Sequence, residues 1–178
     1  MLILQRYSSV YVSDIQKIKN LASHLCNIAA SGNSIIVVVP EITEITQEWL
    51  RLANQISNKP CIRERNMILA TGRQISISLL TMALQELGQS AISLTEAQIG
   101  ITSDLEHEYI VNLDVQVERI KKYLNNRSIV VIANPQHINE DTSNFNDTFL
   151  VSLASHLKVD SCEIYKNQDG YFTAQRLG

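Results

Sequence analysis

The chain has 178 residues, of which 45% are hydrophobic and 19% are charged, with six Gly and three Pro. This composition is typical of one globular domain and excludes a collagen-like or low-complexity protein. Its net charge of −3 comes without a stripe of Lys and Arg, so we expect neither nucleic acid nor a membrane as a partner.

The cysteines and histidines give no metal-binding pattern. Cys26, Cys61 and Cys162 lie far apart and form no CxxC pair, and the four histidines are isolated in the sequence. We therefore predict three buried, reduced thiols and no metal site. The apolar run after Met1 is too short for a signal peptide or a membrane span, so we expect a cytoplasmic protein.

Short apolar runs alternate with longer runs of helical spacing along the whole chain. This alternation predicts an α/β fold, a three-layer α/β/α sandwich with a mostly parallel central sheet. Near-continuous apolar runs are typical of strands that are buried on both faces. The predicted strands are Leu2 to Tyr7, Ser34 to Val39, Ser90 to Leu94, Tyr109 to Leu113, Ser128 to Ala133 and Ser161 to Tyr165.

Five predicted helices lie between or after these strands. Ser13 and Gln16 are spaced as a capping box for the first helix, which should stop at Gly32. Trp49 belongs to the apolar stripe of the second helix and is predicted to be a core residue. The apolar stripes of the remaining three helices are Ile68, Ile75, Leu79 and Met82; Val117, Ile120 and Leu124; and Leu150, Leu153, Ala154 and Leu157.

Common catalytic strings such as Walker A, GxGxxG, HExxH and GxSxG are absent from the sequence. Six segments instead follow known motifs in order: QRYSSVYVSDIQKIKN is similar to KFGGTSVxxxxxIKN, IIVVVPEITEIT to VVVVSAMxxxT, and NMILATGRQISISLLTMAL to DMLLSTGEQISISLLAMAL. Further on, ISLTEAQIGITSD is similar to ISLTGWQAGIxTD, IVVIANPQHINE to IVVxxGFQGxxE, and CEIYKNQDGYFTA to CEIYTDVDGVYTA. By these segments the chain resembles the N-terminal part of an aspartokinase, in the amino-acid kinase family.

The resemblance implies an amino-acid kinase-like fold over residues 1–178. We expect a single, truncated domain that lacks the C-terminal part of the kinase domain and any ACT regulatory domain.

The resemblance also implies where phosphate would be bound, and the sequence departs from the family there. In the family a lysine and two glycines approach the transferred phosphoryl group, because a backbone without Cβ can come close to phosphate. The matching residues here are Arg6, Ser8 and Ser9. Arg6 could supply the charge, but each serine adds a side chain, and a positive φ at either position would strain it.

The substrate-binding positions differ as well. The family glutamate that holds the amino group of aspartate is replaced by Arg73, which reverses the charge. The glycine-rich substrate loop is shortened to SNFNDT, in which only Asp147 and Thr148 match the family. Asp169 and Gly170 match a segment that the family associates with nucleotide, although an Asp-Gly pair also favours a simple turn.

Two functions follow from these differences. In the first, the domain has lost ATP-dependent phosphorylation of aspartate, needs no cofactor, and acts in binding, assembly or regulation as a homo-oligomer or in a complex with another protein. In the alternative, an active enzyme uses Mg-ATP on a different carboxylic acid. Arg6 and Arg73 would then hold an anionic group, and a partner chain would complete the site.

Overall fold

Strands and helices alternate in the computed structural model, which describes residues 1–103, 109–111, 114–135, 143–168 and 171–176. The strands are β1 (Leu2–Tyr7), β2 (Ser34–Val39), β3 (Ala91–Leu94), β4 (Ile101–Ser103), β5 (Tyr109–Val111), β6 (Ile129–Ala133), β7 (Ser161–Gln168) and β8 (Tyr171–Arg176). The helices are α1 (Ile15–Ala30), α2 (Thr43–Ile56), α3 (Ile62–Glu86), α4 (Asp114–Asn125) and α5 (Ser143–Leu157).

The central sheet has six strands in the order β3-β6-β2-β1-β7-β8. The first five strands of this order are parallel, and β8 joins β7 antiparallel at one edge. The mostly parallel sheet is therefore confirmed, and β1 and β2 have the predicted bounds. The segment Tyr109 to Leu113 contains a strand as predicted, but β5 pairs with β4 in a separate antiparallel ribbon.

Helices cover both faces of the sheet, which confirms the three-layer sandwich. On one face, the α4–α5 face, the helices bury apolar side chains against alternate strand residues. The opposite face, the α1–α3 face, is covered by α1 and α3. Each strand contributes side chains to both layers because successive strand residues point to opposite sides. For example, Leu4, Ile36 and Val130 lie on the α4–α5 face, whereas Ile35, Val37 and Val131 lie on the α1–α3 face.

The start of α1 differs from the predicted capping box. Asp14 is the N-cap, and its carboxylate accepts a hydrogen bond of 2.8 Å from the backbone N–H of Lys17. The Ser13 hydroxyl donates to Asp14 instead of capping the helix. A carboxylate is favoured here because the first turn of a helix exposes unpaired N–H groups. Gly32 follows the helix with a φ of 85°, as its predicted role as a stop requires.

The buried side of α3 is not the one predicted. Ile68, Ile75 and Leu79 are half-buried and Met82 is 61% exposed. Gly72 packs against α2 so closely that a Cβ there would lie 2.7 Å from Thr46 Oγ1. Among the described residues, α3 is the one helix whose length and hydropathy suit a membrane span, but it packs on the sheet as a core helix. Its buried residues are Gly72, Arg73, Ser76, Ile77, Leu80, Thr81 and Leu84.

Two further burial predictions need correction. Trp49 is half-buried and lines a surface groove between α2 and α3 instead of packing in either buried cluster. Cys162 is buried and Cys26 is half-buried, but Cys61 is exposed at the start of α3. The expectation of three buried thiols is therefore wrong for Cys61.

Candidate functional site

The candidate site lies where the parallel strands end, since ligands of α/β sheets bind outside the carboxyl ends of the strands. Ser8 follows β1, Pro40 follows β2, Asn134 follows β6, and Glu96 lies two residues beyond β3. The backbone N–H of Asn134 still donates to the carbonyl of Val39, which holds the ends of β6 and β2 side by side.

Arg6 and Ser8 occupy the end of β1. Arg6 is half-buried and lies on the α4–α5 face, because it alternates with Leu4 and pairs in register with Ile164. Burial raises the pKa of the nearby Cys162 thiol, and the charge of Arg6 partly offsets this rise. The Ser8 hydroxyl is buried and makes no hydrogen bond in the part of the chain that the structure describes. Ser9 is exposed.

The backbone at the two serines is unstrained. Ser8 has a φ of −77° and a ψ of 169°, which is extended geometry, and its N–H donates to the carbonyl of Tyr165 at 3.0 Å. Among described non-glycine residues, positive φ values occur only at Arg127 and Lys158. A serine in place of glycine therefore adds bulk at this position without a conformational penalty.

A polar and aromatic network supports the end of β1 from the α1–α3 side. The rings of Tyr7 and Tyr165 stack with centroids 4.5 Å apart, and Tyr11 meets Tyr7 edge-on at 5.1 Å. Tyr165 donates its hydroxyl proton to Glu163 at 2.8 Å, and Gln5 donates to the same carboxylate at 2.9 Å. The sequence did not predict this network, whose members face one another only once β1 and β7 are paired.

The ionisation of these tyrosines suits a structural role. Burial, together with the Glu163 carboxylate, raises the pKa of Tyr165 to about 12. Burial and the neighbouring Tyr165 also raise the pKa of Tyr7. Both phenols therefore stay protonated at neutral pH and act as hydrogen-bond donors rather than as bases.

Arg73 lies in the first half of α3, against the end of β3. Its side chain is 7% exposed, and its Nε donates to Glu96 Oε1 at 2.6 Å. The Glu96 side chain is 22% exposed. Burial raises the pKa of Glu96, the guanidinium of Arg73 partly offsets the rise, and the Glu41 carboxylate adds to it. The guanidinium of Arg73 thus has a partner within the chain.

Arg6 and Arg73 lie on opposite faces of the sheet. Arg6 is on the α4–α5 face of β1, whereas Arg73 comes from α3 on the other face and pairs with Glu96 beyond the end of β3. The residue before it, Gly72, lies close to Glu41, just beyond the end of β2. The structure thus identifies Glu96 as the partner of Arg73, and an anion site shared by Arg6 and Arg73 stays a prediction.

The remaining predicted site residues are only partly described. Asp147 and Thr148 lie in the first half of α5, and only the helix backbone is described there. Asp169 and Gly170 lie outside the described residues. Within the described ranges, no group of three or more His, Cys, Asp and Glu side chains could hold a metal ion.

Two further residues, Glu96 and Asn134, differ from the aligned motifs. In the aligned motifs, Glu96 stands where ISLTG has its glycine and Asn134 where GFQG has its first glycine. Asn134 is 8% exposed, and its Oδ1 makes no hydrogen bond within the described residues. The quoted motifs carried this signal, since Ser8, Ser9, Glu96 and Asn134 all replace glycine at the ends of strands.

The sheet order, the two helical layers and a site at the carboxyl ends of the strands define an α/β domain of the kind that amino-acid kinases use. The model of the amino acid kinase family matches residues 2–176, so the chain belongs to that family. It is 36% identical to an aspartokinase of Geobacillus stearothermophilus and 39% identical to one of Bacillus sp. strain MGA3, over 97% of this chain. These matches confirm the resemblance to aspartokinases.

The solved structures agree with this assignment. The crystal structure of aspartate kinase from Synechocystis is similar with a TM-score of 0.76 and 38% identity, over 94% of this chain and 29% of that one. Aspartokinase III of E. coli, in complex with aspartate and ADP, shares the fold with a TM-score of 0.67 at 13% identity. The chain spans 44% and 43% of the two curated relatives above, which is less than half of their length.

Proposed function

We propose that this chain is an aspartokinase-like domain that has lost ATP-dependent phosphorylation of aspartate and acts in binding, assembly or regulation. The observation that carries the proposal is the buried ion pair between Arg73 and Glu96. Where the resemblance implies a carboxylate for the amino group of aspartate, this chain has a cation whose charge is balanced internally.

The ion pair disfavours aspartate in two ways. An ammonium group brought to Arg73 would meet a like charge in a poorly hydrated place, where screening is weak. Glu96 cannot serve the ammonium instead without leaving Arg73, and breaking a buried pair costs about 3–5 kcal/mol. Glu96 is 22% exposed, so the penalty here lies toward the lower end.

The changes at glycine positions support loss of phosphate binding as well. Backbone amides cradle phosphate best when no Cβ keeps the anion away. The Ser8 hydroxyl and the Asn134 side chain are buried directly after β1 and β6, the two strands that flank β2. These side chains take up space at the strand ends that glycine would leave open.

An active enzyme that uses Mg-ATP on a different carboxylic acid, completed by a partner chain, is the alternative. It requires the guanidinium of Arg73 to be available to an anion. The 2.6 Å bond to Glu96 argues against this requirement, so the alternative enters here only as an outcome of the test.

Thermal-shift and calorimetric titrations test the proposal directly. The chain should show no change in Tm with Mg-ATP, Mg-ADP or aspartate at millimolar concentration, while the Geobacillus stearothermophilus aspartokinase serves as the positive control. A ligand present at 100 times its Kd stabilises the native state by about 2.7 kcal/mol, so binding would be visible. Saturable binding of nucleotide or aspartate would overturn the proposal, and phosphorylation of another acid would establish the alternative.

A double variant separates the effect of the Arg73–Glu96 ion pair on aspartate binding from the effects of the changes at the glycine positions. Arg73→Glu with Glu96→Gly removes the cation and its partner together, and it restores the residue types that the resemblance implies. We expect this variant to gain measurable affinity for aspartate by calorimetry. The matched control, Arg63→Glu with Glu64→Gly, alters an exposed pair at the start of α3 and should gain none.

A further inference from the structure

The Arg73–Glu96 ion pair joins a fixed cation to a movable carboxylate. Arg73 belongs to the 25-residue helix α3, lies on its buried side, and has a side chain that is only 7% exposed. Glu96 lies between β3 and a short 3-10 turn at Ala97–Ile99, and 22% of its side chain is exposed. A change of side-chain rotamer at Glu96 therefore carries its carboxylate into water without moving the backbone.

Departure of Glu96 leaves a position beside Arg73 that fits another carboxylate. In the structure, one oxygen of Glu96 accepts a hydrogen bond from Nε of Arg73 at 2.6 Å. A guanidinium presents its N–H donors in one plane, which matches the geometry of a carboxylate. Because Glu96 is itself partly exposed, the space that its side chain vacates borders solvent. A small carboxylate from solution can then take the same place.

A second carboxylate weakens the hold of Arg73 on Glu96. Glu41 lies just beyond β2, close to Gly72 of α3. Burial raises the pKa of Glu96 most, and Glu41 raises it further, against the opposing charge of Arg73. A carboxylate from solution meets the same repulsion from Glu41. Direct competition between that carboxylate and Glu96 therefore decides which of them Arg73 holds.

We propose that Arg73 is a binding site for small carboxylates that carry no ammonium group, and that Glu96 closes this site as a built-in competitor. The proposal rests on the loss of aspartate binding argued above and adds a ligand class to the binding role. An ammonium group is rejected because it meets the like charge of Arg73 where screening is weak. Succinate has the two carboxylates of aspartate without the ammonium group, so it is the matching probe.

Competition by Glu96 sets the affinity for such a ligand. The ligand binds only those molecules in which Glu96 has left Arg73, so its apparent Kd is the intrinsic Kd divided by that fraction. Glu96 belongs to the same chain, and its effective concentration beside Arg73 is on the order of millimolar or higher. The wild-type chain should therefore bind succinate weakly. A chain without the Glu96 carboxylate should bind it much more tightly.

Calorimetric titration of the whole chain with succinate tests the proposal. Glu96→Gln keeps the size of the side chain and removes its charge, so the Kd for succinate should fall by at least about tenfold. Aspartate and the uncharged succinamide should not bind to this variant. Glu64→Gln is the matched control, because Glu64 pairs with Arg63 at an exposed place, and it should leave the Kd for succinate unchanged.

A second variant assigns the binding to Arg73. Adding Arg73→Met to Glu96→Gln removes the cation, so the tight binding of succinate should disappear. Circular dichroism verifies that each variant is folded, and succinate should raise the Tm of Glu96→Gln but not that of the double variant.

A measurement on the wild-type chain needs no variant to fold. Succinate at about 100 mM, well above the millimolar range of the internal competitor, should displace Glu96 and shift its carboxyl carbon resonance in NMR spectra. Succinamide at the same concentration should not. An unshifted Glu96 resonance in succinate overturns the proposal.

The titrations overturn the proposal if Glu96→Gln binds succinate no more tightly than the wild type, or if Arg73→Met leaves that binding intact. Equal binding of succinate and aspartate by Glu96→Gln overturns it as well, because Arg73 would then not reject an ammonium group. These results leave the loss of kinase activity standing, since that is tested with nucleotide and aspartate on the wild-type chain. Saturable binding of Mg-ATP to the wild type does the reverse.

Discussion

The two layers of side chains on either side of the sheet differ sharply in character. The buried cluster of the α4–α5 face consists of apolar residues from five strands of the sheet, from α4 and α5, and from a short 3-10 turn at Ala97–Ile99, with Cys162 as its one thiol. The α1–α3 face buries Gln5, Arg73, Ser76 and Thr81 among its apolar residues. The first layer depends on volume and shape, whereas the second also depends on the polar partners of Gln5 and Arg73, which are Glu163 and Glu96.

This difference bears on which substitutions each layer tolerates. Apolar packing tolerates exchange between side chains of similar size, so the α4–α5 layer can drift without changing the fold. A buried polar residue changes safely only together with its partner. By the motif comparison Arg73 and Glu96 both differ from the residues that the resemblance implies, and they contact each other.

The largest expected effect is at Arg73. Arg73→Met leaves the Glu96 carboxylate partly buried beside Glu41, so the free energy of unfolding should fall by about 2–4 kcal/mol. Adding Glu96→Leu should recover most of this loss, because an apolar pair of similar volume replaces the ion pair. Urea denaturation measures both, and a loss below about 1 kcal/mol for the single variant would show that Arg73 is not held by Glu96.

The next effect is in the tyrosine network of the same layer. Tyr165→Phe keeps the ring stack but removes the donor to Glu163. We expect a loss of about 1.5–2 kcal/mol by urea denaturation, since the bond goes to a charged acceptor in a half-buried place. The control is Tyr123→Phe in α4, whose hydroxyl makes no hydrogen bond to a described residue, and it should cost less than about 0.5 kcal/mol. If both variants lost the same free energy of unfolding, the hydrogen bond from Tyr165 to Glu163 would have no particular importance for stability.

A smaller effect is expected in the apolar layer. Leu153→Met changes shape at nearly constant volume at a fully buried site of α5, so it should cost less than about 1.5 kcal/mol. The contrast with Arg73→Met is informative because methionine is introduced in both layers. If Leu153→Met were as damaging as Arg73→Met, the two layers would not differ in tolerance.

The smallest effect concerns pH. Burial raises the pKa of Glu96, whereas the hydrogen bonds from Arg51 lower the pKa of the exposed Glu48. In a carbon-detected NMR titration, the pKa of Glu96 should therefore lie above that of an ordinary glutamate, and the pKa of Glu48 below it. The folded state holds the Glu96 proton more tightly than the unfolded chain does. The stability that protonated Glu96 contributes is thus fully present below the ordinary glutamate pKa. It is lost as the pH rises through the raised pKa of Glu96 in the folded state.

If the pKa of Glu96 were at or below the ordinary value, the charge of Arg73 would lower that pKa by at least as much as burial raises it. Glu96→Gln serves as the check on stability. In this variant the stability should no longer fall as the pH rises from the ordinary glutamate pKa to the raised pKa of Glu96. The rest of the dependence of stability on pH should be unchanged.

The fold was predictable because buried strands leave a strong signal. β1 and β2 are runs of apolar residues that both layers cover, and their bounds were predicted without error. The buried side of α3 was not predictable in this way, because that helix is apolar on most sides and its sheet-facing surface includes Gly72, Arg73 and Ser76. Hydrophobic periodicity alone cannot choose between two apolar sides.

The site was predictable only in part. The motif comparison pointed to Arg73 and Ser8, and the structure places both at the carboxyl edge of the sheet. Glu96 lies 23 residues from Arg73 along the chain, and no local pattern connects them. The ion pair becomes visible only when α3 is packed against the end of β3, which is a tertiary event.

The position of β1 between β2 and β7 has a consequence for how the protein is made. The backbone N–H of Leu2 donates to Asp160 at 2.7 Å, so the first strand is tied to a segment that is synthesised 158 residues later. β1 can pair with β2 early, but its other edge stays open until β7 is available. Until β7 has been synthesised, the nascent chain therefore presents an unpaired strand edge, the kind of surface on which chaperones act and aggregates grow.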